Sequence, residues 1–193
     1  MALAPPEFER KILAPAQVAR WAARLPRPLV FTNGVFDILH RGHATYLARA
    51  RALGACLLVA LNGDASVRRL GKGPGRPVNA LEDRLALVAA LQAVDAVTWF
   101  EEDTPAALIA AVRPEVLVKG GDWPVERIVG AREVLARGGA VHSIAFEHQR
   151  STTALLRRVG ARARAAARKI PRRASGSGSK GRAARSRARG KGR

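Results

Sequence analysis

Cysteine is all but missing from this chain. A single one, Cys56, stands inside an apolar run of a 193-residue sequence, so no intrachain disulfide can form and no cysteine-based zinc site is plausible. A reducing compartment suits such a chain. Long hydrophobic runs are missing too. No window approaches the roughly 20 apolar residues of a membrane-spanning helix, and the opening MALAPPEFERKILAP has no continuous apolar stretch of the kind a secretory signal carries. The expectation is a soluble, unexported, cytoplasmic protein. Three familiar motifs are also absent. GKGPGR at 71–76 lacks the spacing of G-x-x-x-x-G-K-[ST], no G-x-G-x-x-G follows the first apolar run, and no G-x-S-x-G elbow is present. P-loop, dinucleotide-binding and serine-hydrolase readings weaken accordingly.

Acidic residues are missing from one region only. Arg157 to Arg193 holds 15 Lys/Arg and no Asp or Glu, whereas residues 1–156 hold 19 basic and all 15 acidic residues, a surplus of +4 against +19 for the whole chain. The extreme charge therefore belongs to a tail and says little about a folded body. From about Gly160 the sequence turns to Ala/Arg and then Gly/Ser/Arg, too poor in apolar side chains to pack. Residues 160–193 are expected to be a disordered basic tail, with residues 1–159 as the domain. A body of about 150 residues buries roughly 70% of its unfolded surface, enough for an unaided core.

Within that body, apolar runs and helical periodicities alternate. After a patternless lead-in over residues 1–14, PAQVARWAARL (15–25) spaces Val18, Trp21 and Leu25 on one helix face. PLVFTNGVFDILHRGHATYLARARALG (28–54) reads as a buried strand, a glycine turn and a helix closed by Gly54. ACLLVALN (55–62) is a strand of buried parallel type, with Asp64 suited to cap the helix after it. NALEDRLALVAALQA opens at Asn79 with Glu82 three residues on, a capping-box pattern. VDAVTWF, TPAALIAAV and EVLVKG read as strand, helix and strand. A less regular helix over 125–138, the strand AVHSIAF and a helix capped by Ser151 complete the series. The pattern predicts an α/β fold, a Rossmann-like doubly wound parallel sheet in a single domain.

In such a sheet ligands gather beyond the carboxyl ends of the strands. The polar clusters fall there: Asn33, Gly34, Asp37, His40 and His43 after the first strand, Lys72 and Arg76 after the second unit, Lys119, Gly120, Gly121 and Asp122 after the fourth strand, and Arg150, Ser151, Thr152 and Thr153 after the last. A crevice rich in donors and positive charge suits a polyphosphate. His40 and His43 share a helix face as a metal pair would, but no further ligands stand at recognisable spacing, so no protein metal site is assigned. Trp123 is expected to pack rather than to stack on a base, and His142 and His148 to be structural.

With these residues in place the sequence resembles the nucleotidyltransferases of the cytidylyltransferase-like group. Its His-x-Gly-His signature stands here as HRGH, residues 40–43, and RPVNALEDR, FEEDTP, LVKGGDW and STT come after it in the family's order, covering about residues 29–158. Within the group the likeness is greatest to the adenylyltransferase domain of bacterial heptose kinase/adenylyltransferases, whose kinase half is absent here. The resemblance implies AMP transfer from ATP, with Mg²⁺, to D-glycero-β-D-manno-heptose 1-phosphate, giving ADP-heptose and pyrophosphate, in a homodimer. It implies catalytic roles for His40, His43 and Lys72, and nucleotide contacts by Gly34, Val35, Phe36, His40, His43, Ser151, Thr152 and Thr153. Asp37, Lys72, Arg76, Lys119 and Asp122 would contact the second substrate. An extra glycine in LGKGPGR leaves the lysine's register open, so that Arg69 or Arg76 shares the role of Lys72.

The chemistry explains these residue types independently. A sugar phosphate is already anionic, so its oxygen attacks the α-phosphorus without a general base, and the protein must supply alignment and charge neutralisation. Two other readings stay open. One is a CTP-dependent enzyme acting on glycerol 3-phosphate or a similar alcohol phosphate, although related enzymes of that kind carry threonine where Val35 stands. The other is a polyanion-binding protein acting through its basic tail.

Overall fold

The computed structural model describes residues 4–71, 73–147 and 152–169, the stretch 163–169 as backbone only. The chain divides into two units, Met1–Leu156 and Arg157–Arg193. The first unit alternates as expected. Helix α1 (Pro15–Ala22) precedes β1 (Leu29–Gly34), and α2 (Arg41–Arg51), β2 (Cys56–Asn62), α3 (Asp64–Arg69), α4 (Leu81–Ala89), β3 (Ala96–Phe100), α5 (Ala106–Val112), β4 (Val116–Gly120), α6 (Ala131–Ala136), β5 (Ala140–Ile144) and α7 (Thr152–Lys169) complete the order.

The five strands are parallel and lie in the order β3-β2-β1-β4-β5. Period-two alternation sends successive side chains to opposite faces. Leu29, Phe31, Leu58, Ala60 and Leu117 thus meet Val18, Ile109 and Val134 from α1, α5 and α6. Val30, Leu57, Val59, Leu61 and Val118 meet Leu47, Leu85 and Val88 from α2 and α4. Both faces are covered, which is why β2 is buried along its whole length. The strand order reverses between β1 and β4, whose register pairs Val30 with Val116 and Thr32 with Val118. At such a switch point neighbouring connections leave on opposite faces, opening a crevice at the carboxyl ends.

Four local expectations change. The lead-in is structured: Glu7–Lys11 forms a 3-10 turn, and Ile12 bridges in parallel to Val97 at the edge of β3, Leu13 donating its N–H to the Val97 carbonyl. An edge strand leaves backbone groups unpaired, and this segment satisfies some of them. Asn79 does not cap α4. The helix starts at Leu81 behind Ala80, without a side-chain cap, because Asn79 is drawn into another set of hydrogen bonds. The segment 125–138 is not one helix but a 3-10 turn at Val125–Arg127 and then α6, separated by Gly130 at φ 85°. Finally, α7 runs on to Lys169, so residues 160–169 are helical where composition alone reads as disorder. Alanine and arginine are strong helix formers, and a helix needs no apolar core to be written in propensity. The remainder of the expected disordered tail lies outside the described residues.

Candidate active site

The β1–α2 connection builds the floor of the crevice. Gly34 lies so close to the Phe36 ring that a Cβ there would sit 3.0 Å from it, and Phe36 itself holds φ 48°, a left-handed conformation rare outside glycine. Such a backbone persists only where its surroundings over-determine it. They do so here through Arg84, a fully buried residue on the inner face of α4. Its guanidinium donates to the carbonyls of Val35 and Asn62 at 2.8 and 2.9 Å, to the Asn79 carbonyl at 3.1 Å and to Asp64 Oδ1 at 2.7 Å. One side chain thereby ties the end of β2, the turn after β1 and the 76–80 loop together.

Asp37 fastens the same loop from the other side. Its Oδ1 accepts the N–H groups of Val78 and Asn79 at 2.8 and 3.0 Å, its Oδ2 accepts Arg76 Nε at 2.5 Å, and its carbonyl accepts the Asn79 amide at 2.6 Å. Both partners of the ion pair are buried. Asp37 and Arg76, expected to touch substrate, are thus engaged with each other at the cavity wall. Arg69, the other stand-in for Lys72, turns away to Asp103 and the Glu101 carbonyl. Lys72 lies outside the described residues.

Above this floor stands the histidine pair. His40 occupies the residue before α2 and His43 its first turn, with ring centroids 3.8 Å apart and planes 15° from parallel. Phe36 meets His43 edge-on at 5.2 Å and Phe146 meets it at 6.2 Å. His43 lines a cavity of about 480 Å³ together with Asn33, Gly34, Val35, Phe36 and Thr152, whereas His40 is outside the lining and is stacked on the His43 ring. The His40 carbonyl accepts the N–H groups of His43 and Ala44 at 2.9 and 3.3 Å, which leaves those of Arg41 and Gly42 ahead of the first helical bond, so this end suits an anion. Lys119, at the end of β4, donates from Nζ to Asn33 Oδ1 at 3.1 Å and lines the cavity too. Beneath lies Tyr46, whose hydroxyl is 2.5 Å from that of Thr32 and donates to the Val118 carbonyl at 3.3 Å. Burial pushes its phenol well above the ordinary range, so it stays neutral.

On the β4 side two glycines are covered by aromatic rings. A Cβ on Gly120 would lie 2.7 Å from the Phe146 ring, and one on Gly121, at φ 110°, would lie 3.2 Å from Trp123 Nε1. Ser143 pins this turn, its hydroxyl accepting the Trp123 N–H and donating to the Gly121 carbonyl. Trp123 is 50% exposed and lines the cavity, instead of packing inside the body as expected. Asp122 is exposed outside the cavity lining, as is Thr153. Ser151 lies outside the described residues, as do Arg150 and His148.

Arg84, Tyr46 and Phe146 join the site without having been expected there. For Arg84 a signal existed: Leu81, Arg84, Leu85 and Val88 share one face of α4, and a charge on an apolar face needs buried partners.

A model of the cytidylyltransferase-like family matches residues 31–158, the span that carries this cavity. The chain belongs to that family. It is a nucleotidyltransferase by that membership. The chain is 58% identical over 154 residues to D-beta-D-heptose 1-phosphate adenylyltransferase of Bordetella bronchiseptica, which covers 79% of this chain and 95% of that relative. It is 55% identical over 131 residues to the bifunctional protein HldE of Ectopseudomonas mendocina, spanning 28% of that longer protein. Among solved structures, the lipopolysaccharide core biosynthesis protein of Thermoplasma volcanium superposes with a TM-score of 0.51 at 29% identity, over 63% of this chain and 98% of that one. Among the described residues no helix is long and apolar enough to cross a membrane.

Proposed function

We propose that this chain transfers AMP from ATP to D-glycero-β-D-manno-heptose 1-phosphate, forming ADP-heptose and releasing pyrophosphate. The observation that carries the reading is the 58% identity over 154 residues to a heptose 1-phosphate adenylyltransferase, of which the match covers 95%. A phosphate oxygen of the sugar phosphate attacks the α-phosphorus, the bond to the β-phosphate oxygen breaks in line, and no covalent enzyme intermediate forms. The α-phosphate lies against His43 and the first N–H groups of α2, with His40 fixing the His43 ring by stacking. Lys119 neutralises charge from the β4 side, and Thr152 closes the phosphate end. Phe146 and Trp123, which line the cavity and lie over the Gly120–Gly121 backbone, offer aromatic rings to the base.

Mg²⁺ fits this site as a companion of the nucleotide. The cavity's deep carboxylate, Asp37, has both oxygens engaged, and among the described residues no group of three or more His, Cys, Asp or Glu gathers to hold an ion. The ion's ligands would be the phosphates, whose charge it neutralises. A homodimer and a cytoplasmic location belong to the same reading, the former checked by light scattering of the purified protein.

The test is pyrophosphate release with Mg²⁺, crossing ATP and CTP against heptose 1-phosphate and glycerol 3-phosphate. Release with ATP and the heptose phosphate alone is expected. Release with CTP instead would keep the family and move the substrate. Replacing His43 or His40 by alanine is expected to lower kcat about 10²-fold, by comparison with loss of one oxyanion donor. Full activity in both variants would overturn the assignment.

A further inference from the structure

The second unit carries a property that the nucleotidyl-transfer site does not use. Helix α7 continues through it to Lys169, and at 100° per residue its six cations fall into two rows. Arg157, Arg164 and Arg168 form one row, and Arg158, Arg162 and Lys169 the other, about 120° apart, each row extending for about 18 Å or less along the axis. Arg157, Arg158 and Arg162 are exposed and enter none of the ion pairs found among the described residues. Nine further Lys/Arg stand from Arg172 to Arg193, again with no acidic residue. The family match ends at residue 158, so all of this charge except Arg157 and Arg158 lies beyond the span the family shares.

We propose that the two basic rows of α7, over Arg157–Lys169, bind the phosphate backbone of double-stranded nucleic acid without reading its sequence. A helix with cations over roughly half its circumference matches a duplex, which presents one negative charge per about 1.7 Å and a major groove wide enough for a helix. The unit has no Asn, Gln or aromatic residue, so it lacks the amide side chains that read adenine edges and any ring to stack on bases. The opposite helix face decides against a lipid surface. Beyond Leu156 it offers Val159, Gly160 and the alanines at 163, 166 and 167, whereas an interfacial helix inserts leucine and aromatic side chains.

The experiment is fluorescence anisotropy of the full chain with two short DNA duplexes of unrelated sequence, from 50 to 200 mM salt. If about six of these cations engage phosphates, log K falls with log salt at a slope of about −5, and affinity drops about 10³-fold across that range. The two duplexes should bind alike. A variant with Arg157, Arg158, Arg162, Arg164, Arg168 and Lys169 all changed to Gln, which preserves helix propensity, should flatten the slope by about three or more. Its pyrophosphate-release activity, measured alongside, should equal that of the parent and reports that the body is folded. An unchanged slope in the variant would overturn the proposal. So would a tenfold preference for one duplex, or binding to vesicles of anionic lipid at protein concentrations that leave the duplexes free.

Discussion

The two ends of the sheet face the same problem with opposite sign and solve it in different surroundings. At the amino ends, strands begin with N–H groups that need acceptors. Glu115 accepts the Leu29 N–H and Asp95 accepts the Leu57 N–H, each carboxylate also meeting an arginine, Arg27 or Arg51. These pairs are solvated, with Arg27 and Glu115 at 38% and 42% exposure. At the carboxyl ends strands finish with carbonyls that need donors, and Arg84 supplies them to Val35 and Asn62 from complete burial, while Asp37 and Arg76 pair at 0% and 8% exposure. Burying charge is costly unless every donor and acceptor is matched. The expense falls at the end where catalysis needs a floor already in place, since preorganised loops spare reorganisation during the reaction.

The sharpest way to break that contrast is Arg84→Ala. It leaves three carbonyls without their donor and Asp64 without its partner, and is expected to cost about 3–5 kcal/mol, read as a lowered urea midpoint. It should also raise KM for the nucleotide, because the Val35–Phe36 turn loses its anchor. A loss under 1 kcal/mol would mean that the buried cluster is no stiffer than the exposed one.

Alkaline titration sharpens the comparison, because each end holds a group whose pKa is raised. Cys56, near the amino end, is raised from 9.0, first by burial and then by Asp95, with Arg51 and Arg27 opposing. Tyr46, under the active-site floor, is raised from 10.0 by burial, with its bond to Thr32 opposing. In both cases the unfolded chain gives up its proton at lower pH than the folded one, so stability is intact below about pH 9 and falls as pH rises beyond it. The decline is expected to begin with the thiol and to steepen above pH 10 with the phenol. Denaturant midpoints of Cys56→Ala and Tyr46→Phe across pH 8 to 11 check it. The first should flatten the onset and the second the steeper part.

Much of this fold was legible in the sequence, and the failures share a cause. β2 and β4 announce themselves as apolar runs and α4 as an amphipathic period, because burial against both sheet faces leaves a local pattern. The histidine pair was legible because strand, turn and helix are contiguous. Asn79 misled because its capping pattern is local whereas its actual partner, Asp37, stands 42 residues away. Arg76 likewise finds Asp37 across 39 residues, and nothing beside either residue marks the pair. Ile12 pairs with Val97, which no reading of the lead-in alone could reveal. Long-range polar partners leave no period.

Thr98 belongs to neither cluster. It is fully buried in β3, and its hydroxyl finds no hydrogen-bond partner among the described residues. An unmatched buried hydroxyl costs about 1–3 kcal/mol, and valine keeps nearly the same shape. Thr98→Val is therefore expected to stabilise the body by about 1 kcal/mol, seen as a Tm rise of a few degrees for a domain of this size. A fall in Tm would show that the hydroxyl has a partner the sheet does not reveal.

The smallest effect is expected at the amino end. Arg27 donates to Glu115 and to the Arg113 carbonyl, at 3.0 and 3.2 Å, from a solvated position. Removing it by Arg27→Ala leaves Glu115 still bonded to the Leu29 N–H, so no buried group loses its only partner. Exposed pairs contribute about 0.2–1 kcal/mol, and salt screens them. The loss should thus shrink toward zero in 1 M salt, whereas that of Arg84→Ala should persist. Glu115→Ala is the informative companion, because it strips the acceptor from the first N–H of β1 and should cost more than Arg27→Ala at every salt concentration. If the two variants behave alike, the amino-end carboxylate serves the arginine rather than the strand, and the parallel between the two ends of the sheet fails.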